Sequence, residues 1–192
     1  MLHLVAAELR DDVLAEDVQR ALAYAHALAA GEGVRAVCYG RSETHLLAAV
    51  WLDDVKALEP FAASEEHMTF IMRGLATVIR SMWSASVATE GPPPTESFAA
   101  LWLFAVPEFE GVFEWEVRKF LEDIEMLPGT CWAGPTVEER ERYRAGGAVL
   151  LTATEINSFQ DSLATATTGW GSLANRLQQA VTPTVVINRA RS

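Results

Sequence analysis

The stretch Leu46-Leu47-Ala48-Ala49-Val50-Trp51 decides the fold of this chain. It is a run of strand length with no polar residue in it. A sheet wet on one side alternates polar and apolar residues along each strand, so a strand without alternation is covered on both faces. Val5-Ala6-Ala7, Leu101-Trp102-Leu103-Phe104 and Val149-Leu150-Leu151 read the same way. Any sheet built from these strands has two buried faces.

Working outward from that run, the chain repeats itself. First strands are expected at Leu2–Leu9 and 98–106. An amphipathic helix follows each, with Leu14, Val18, Ala21, Leu22, Ala25 and Leu28 overlaying Phe113, Val117, Phe120, Leu121, Ile124 and Leu127 at a constant offset of 99. That spacing lays one apolar stripe on a sheet. Gly31 and Gly129 mark the two helix ends. Second strands are expected at 34–39 and 130–133, a charged loop at 137–144, and third strands at 46–52 and 148–154. Ser64, followed by Glu65 and Glu66, reads as a helix start, with an N-cap hydroxyl and acids in the first turn. The second helix of the first copy carries Met68, Ile71, Met72, Leu75, Val78 and Ile79 on one face; that of the second copy carries Trp170, Leu173, Leu177 and Val181. Closing strands fall at 83–88 and 184–188. Gly91 and the run Pro92-Pro93-Pro94 make 88–97 a stiff extended linker between repeats at 1–87 and 98–192.

The resulting order, β-α-β-β-α-β twice, is an α+β fold of two ferredoxin-like repeats, each a four-stranded antiparallel sheet with both helices on one face. The uncovered faces are apolar. The expectation is that the two antiparallel sheets pack face to face and close as an intrachain α+β barrel with four helices outside.

The 192 residues carry 15 Lys+Arg against 26 Asp+Glu, a formal charge of -11 divided nearly evenly between the halves. Neither half has a basic surplus from which to build a phosphate-binding face, so nucleic acid and anionic membranes are not expected partners. No apolar stretch reaches the roughly 18 to 20 residues of a membrane helix, and the N-terminus lacks a secretory pattern; a cytoplasmic location is expected. Cys38 and Cys131 lie in the two second strands and read as buried, reduced thiols. Gly146-Gly147 is an isolated pair and Gly169-Trp170-Gly171 lacks the Lys and Ser or Thr of a phosphate loop. The seven carboxylates of 108–125 fall on the polar side of a helix and read as its solvated face.

The segment from Trp51 through Asp53, Asp54, Ala57, Leu58 and Phe61 to Ser64 and His67 resembles the strand-to-helix signature of the antibiotic biosynthesis monooxygenase-like group within the dimeric α+β barrel superfamily. In that group a tryptophan often ends the third strand, an Ala and a large apolar residue follow, and a Ser precedes the last helix with His three positions on. The second copy keeps only the apolar skeleton, with Thr152 opposite Trp51, Ser162 opposite Phe61 and Thr168 opposite His67. The resemblance implies a barrel and, among relatives of this shape, cofactor-independent quinone-forming monooxygenases, haem-degrading monooxygenases and members with no assigned activity. The haem-degrading branch would require an Asn in the first strand, a Trp at position 61 and a His ten residues later. This chain has no Asn in Leu2–Leu9, and has Phe61 and Ile71, so haem degradation is disfavoured and no cofactor is expected.

Cofactor-free oxygenation needs a pocket that desolvates an electron-rich phenol, a base to take its proton and donors for the developing oxyanion. His67, inside the family-like segment, and Glu8, an acid in an apolar strand, are the catalytic candidates; Tyr39, Trp51, Phe61 and Trp83 are the substrate-binding candidates. Against this, a His in the first turn of a helix is commonly a packing residue, Trp51 reads as core, and Glu8 is equally explained by an edge position or an ion pair. His3 and His26 have no carboxylate or Cys at ligand spacing, so no metal site is expected. The two readings are an oxygenase acting on a small hydrophobic aromatic metabolite and a non-catalytic small-molecule-binding or structural barrel protein. One chain supplies both sheets, so a monomer or a higher homo-oligomer is expected.

Overall fold

The computed structural model of the chain describes residues 1–95, 98–109, 111–137, 142–182 and the backbone of 188–190. Strand β1 (Leu2–Leu9), helix α1 (Ala15–Ala27), β2 (Val34–Arg41) and β3 (His45–Leu52) open the first half. Helices α2 (Leu58–Ala63) and α3 (Glu65–Thr69), a π-helical segment Phe70–Leu75 and the turn α4 (Ala76–Val78) lead to β4 (Ile79–Val87). The second half runs β5 (Ala100–Pro107), α5 (Glu114–Glu125), β6 (Thr130–Pro135), β7 (Tyr143–Leu151), α6 (Ile156–Thr167), β8 (Gln178–Val181) and β9 (Asn188–Ala190). Most of the expected strand 184–188, residues 138–141 of the charged loop, Glu110 of the acidic stretch and positions 96 and 97 of the linker lie outside the described residues.

The fold is α+β, with two antiparallel sheets ordered β4-β1-β3-β2-β9 and β6-β7-β5-β8. Alternation along each strand sorts the side chains into three cores. Leu2, Leu4 and Ala6 of β1 and Leu47, Ala49 and Trp51 of β3 meet Leu101, Leu103, Trp132, Ala148 and Leu150 between the sheets. The intervening residues Val5, Ala7, Leu46, Ala48 and Val50 face α1 and the α2 to α4 stretch, with Val18, Leu22, Phe61 and Phe70. In the second half Trp102, Phe104 and Val149 face α5 and α6, with Phe120, Ile124 and Phe159. The unbroken apolar runs of the strands follow directly from this double burial.

Several details differ from the sequence reading; among them β7 spans Tyr143–Leu151 where the sequence reading places a strand at 148–154, so Tyr143 and Arg144 lie in the sheet and do not belong to the charged loop. The two sheets do not close into a barrel. At one seam Val87 makes a single bridge to Thr136, with Ala88 N donating to Pro135 O at 3.0 Å and Val137 N donating to Ser86 O at 2.9 Å. At the other seam β9 adds to β2, giving the first sheet five strands, while β8 stays on β5. Secondly, the second helix of the second half is Ile156–Thr167, upstream of the position expected from Trp170 to Val181; Gly171 at φ 56 halts helical continuation, Trp170 and Leu173 pack from a short 3-10 turn, and Val181 belongs to β8. Thirdly, in the first half the buried face is Phe70, Gly74, Leu75 and Val78, whereas Met68 and Met72 are exposed, because the π-helical segment shifts the phase of the stripe; Ile79 opens β4. Finally, Gly129 turns the chain at φ 110 after α5, but after α1 the left-handed position is Gly33 (φ 73), not Gly31.

No helix among the described residues is long and apolar enough to cross a membrane.

Candidate functional site

A cleft of about 1110 Å³ opens where the first half's helix layer meets its edge strand. His3 of β1 forms its floor, Phe61 and His67 one wall, Trp83, Ser84 and Ser86 of β4 another, and Arg142 and Tyr143, at the start of β7, the rim contributed by the second half.

His67 is placed by local structure. The backbone breaks at Ser64 (φ -66, ψ 154) between α2 and α3, and Ser64 Oγ accepts the His67 amide at 3.2 Å as the expected N-cap. This turns the imidazole back over α2, where Nδ1 lies 3.0 Å from Ala62 O. A carbonyl only accepts, so Nδ1 carries the hydrogen and Nε2 keeps its lone pair. The ring packs on Phe61 with centroids 4.9 Å apart and stands edge-on to His3 at 6.2 Å. Burial lowers the His67 pKa below the ordinary histidine value, partly opposed by the Ala62 carbonyl.

His3 is the residue the sequence reading passed over. On β1 it lies between Leu2 and Leu4, on the helix-facing side, with Nδ1 3.0 Å from Ser86 Oγ on the neighbouring strand. Burial, with His67 adding to it, depresses its pKa to about 4. Both rings are therefore neutral near pH 7, and both belong to one cluster with Phe61. The signal available in the sequence was a polar residue in an apolar strand; only the pairing of β1 with β4 and the return of α3 bring it to His67.

Trp83 lies 6.0 Å from Tyr143, ring to ring, and Tyr143 donates its hydroxyl to Gln178 Oε1 at 2.8 Å. Phe61, Trp83 and His67 thus come together at the cleft. The remaining candidates do not. Glu8 sits at the far end of β1, accepting from Ser81 Oγ at 2.8 Å and paired with Arg80 at 3.3 Å. Tyr39 is buried under α1, its hydroxyl 2.8 Å from His26 Nδ1, with burial raising its pKa. Trp51 is buried between the sheets, edge-on to Trp132 at 5.1 Å. Cys38 is buried in the same layer, and burial, then Glu125, push the Cys131 thiol up to about 12, which removes it as a nucleophile. Among the described residues no group of three or more His, Cys, Asp or Glu is arranged to hold a metal ion. A shallower groove of about 560 Å³ runs between α5 and α6, but its Asp123 is already engaged by Lys119 Nζ and Trp170 Nε1.

The fold with this cleft defines an α+β protein of two ferredoxin-like halves and monooxygenase-like shape. By sequence the chain matches no family model and none of the curated proteins. By structure it is similar to an anthrone oxidase-like protein at TM-score 0.65 and 11% identity, covering 98% of this chain and 93% of that one. It is also similar to a candidate monooxygenase from Lactobacillus acidophilus, at TM-score 0.58 and 10% identity over 99% of this chain and 95% of that one. A second candidate monooxygenase, from Fusobacterium nucleatum, matches at TM-score 0.58 and 11% identity over 100% and 94%. At these identities the likeness is one of fold.

Proposed function

We propose that this protein is a cofactor-independent, monooxygenase-like enzyme that binds a small hydrophobic aromatic metabolite in the His3–His67 cleft, with His67 as the general base. The observation that carries the reading is the fixed tautomer of His67: with Nδ1 donating to Ala62 O, the lone pair on Nε2 is available to a ligand proton. A neutral imidazole at the edge of an aromatic cleft accepts a phenolic proton, and the electron-rich anion that results is the species able to reduce dioxygen. Phe61 and Trp83 supply ring-sized apolar contacts, while Ser84 and Ser86 add hydroxyls to the lining. The fold shared with the candidate monooxygenases and the anthrone oxidase-like protein supports this choice of chemistry.

Oxygen uptake with an anthrone as substrate, without added metal or flavin, tests the reading. The wild type should consume oxygen, and His67→Gln should lower the rate about 100-fold or more. The rate should fall on acidification with a midpoint below 6.5, because burial lowers the His67 pKa and the protonated ring is no base. An anthrone that raises the melting temperature without oxygen uptake would support the non-catalytic ligand-binding reading instead. Neither stabilisation nor uptake would end both.

A further inference from the structure

We infer that the cleft selects aromatic ligands that carry an ionised acidic group, with Arg142 anchoring the anion; this rests on the reading of the cleft as the ligand site. The described lining includes two formally charged side chains, Arg142 and Glu59, besides the neutral imidazoles of His3 and His67. The chain as a whole carries -11, so an acid approaching it is repelled unless a local cation offsets that field. Arg142 is that cation, and without it the ionised part of the described lining is Glu59 alone.

The arginine is built for the task. Its carbonyl accepts from Glu108 N at 2.8 Å, which ties the backbone to the end of β5, while the side chain is exposed and makes no ion pair among the described residues. Arg80 shows the contrast: on the edge strand β4, its guanidinium is taken by Glu8 and Asp11. A fixed backbone with a guanidinium unengaged among the described residues presents a planar fork to a carboxylate, which it holds through two parallel hydrogen bonds. Tyr143, the next residue, and Trp83 against it bring aromatic surface to the guanidinium's side of the cleft. The cleft thus has two poles. The base of His67 meets a hydroxyl on one side, Arg142 meets an acid on the other, and aromatic rings lie between.

A matched pair of probes tests this by calorimetric titration of the full chain: 6-hydroxy-2-naphthoate, with hydroxyl and carboxylate at opposite ends of the ring system, and 2-naphthol, with hydroxyl only. The wild type should bind the acid about tenfold more tightly. Arg142→Gln should bring the affinity for the acid down to that for 2-naphthol, and Arg142→Lys should restore part of the difference. In the wild type the advantage should shrink when salt rises from about 0.05 M to about 0.5 M, a readout that needs no substitution. Equal affinity for the two probes, or an advantage that survives Arg142→Gln and high salt, overturns the anchor while leaving the cleft as a ligand site. Absence of binding by both probes overturns the cleft as a ligand site and the anchor with it.

Discussion

A histidine inside a protein wall stays buried by staying neutral, and His3 carries the consequence for stability. Its pKa in the folded chain is about 4, below the ordinary 6.5 of the unfolded chain. As pH falls, the unfolded state takes up the proton first, so the contribution of His3 is fully present above about pH 6.5 and is lost progressively down to about pH 4. His3→Asn, which keeps a polar group near Ser86, should narrow the loss of melting temperature across that window relative to wild type, and an unchanged slope would count against the burial argument. Trp51 offers a second test. Its indole Nε1 is buried without a hydrogen-bond partner among the described residues, whereas Trp102 Nε1 donates to Gln179 Oε1 at 3.1 Å. An unmade buried hydrogen bond costs about 1–3 kcal/mol. Trp51→Phe should therefore destabilise by about 1–2 kcal/mol less than Trp102→Phe in denaturant titrations, since both lose similar volume but only one loses a partner. At this scale the sequence marked His67, Phe61 and Trp83, which lie in one continuous strand-to-helix region or the strand after it. It could not separate Glu8 from them, because only the register of β1 on β4 shows that Glu8 faces Ser81 and lies beside Arg80.

Between residues and layers, the elements obey periodicity where the backbone is regular and depart from it where it is not. The offset helices α1 and α5 bury the expected Val18, Ala21, Leu22 and Ala25 and the expected Val117, Phe120 and Ile124, whereas Leu14 and Phe113, also expected on the stripe, sit at the N-caps and are exposed. The helix after Ser64 does not follow a period of 3.6, because six residues are wound as a π-helix directly after the α3 turn that holds His67. A π-turn widens the frame by one residue, so Met72, placed on the buried face by spacing, is 62% exposed. Strand packing sets its own constraint at Gly147, where β7 runs between β5 and β6. A Cβ there would stand 2.4 Å from Trp132 O and 2.5 Å from Phe104 Cζ. The carbonyl belongs to a sheet backbone and the ring to a filled core, so neither can yield. Gly147→Ala should lower stability by more than about 2 kcal/mol, measured by thermal or denaturant unfolding, and a melting temperature equal to wild type would show the sheet to be softer than its packing implies.

At the scale of the whole molecule, the inter-sheet layer ties the halves together. Leu2, Leu4, Leu47, Ala49 and Trp51 are covered by residues of the second half. Expressed alone, a 1–95 fragment would expose that face as one apolar patch. It should elute as self-associated or aggregated material in size-exclusion chromatography, and a well-behaved monomer would contradict the role given to the layer. The seam between the halves also builds the cleft, since His3, Phe61 and His67 come from one half and Arg142 and Tyr143 from the other. The sequence by itself determined the α+β class, the two β-α-β-β-α-β halves and the burial of both sheet faces, because hydrophobic period is a local property that each strand and helix carries in its own residues. The tertiary structure alone decided that the sheets stay unclosed, that β9 joins the first sheet, that His3 stands against His67 and that Arg142 reaches their cleft. Those outcomes depend on register, twist and contacts between residues distant in the chain, which no local period encodes.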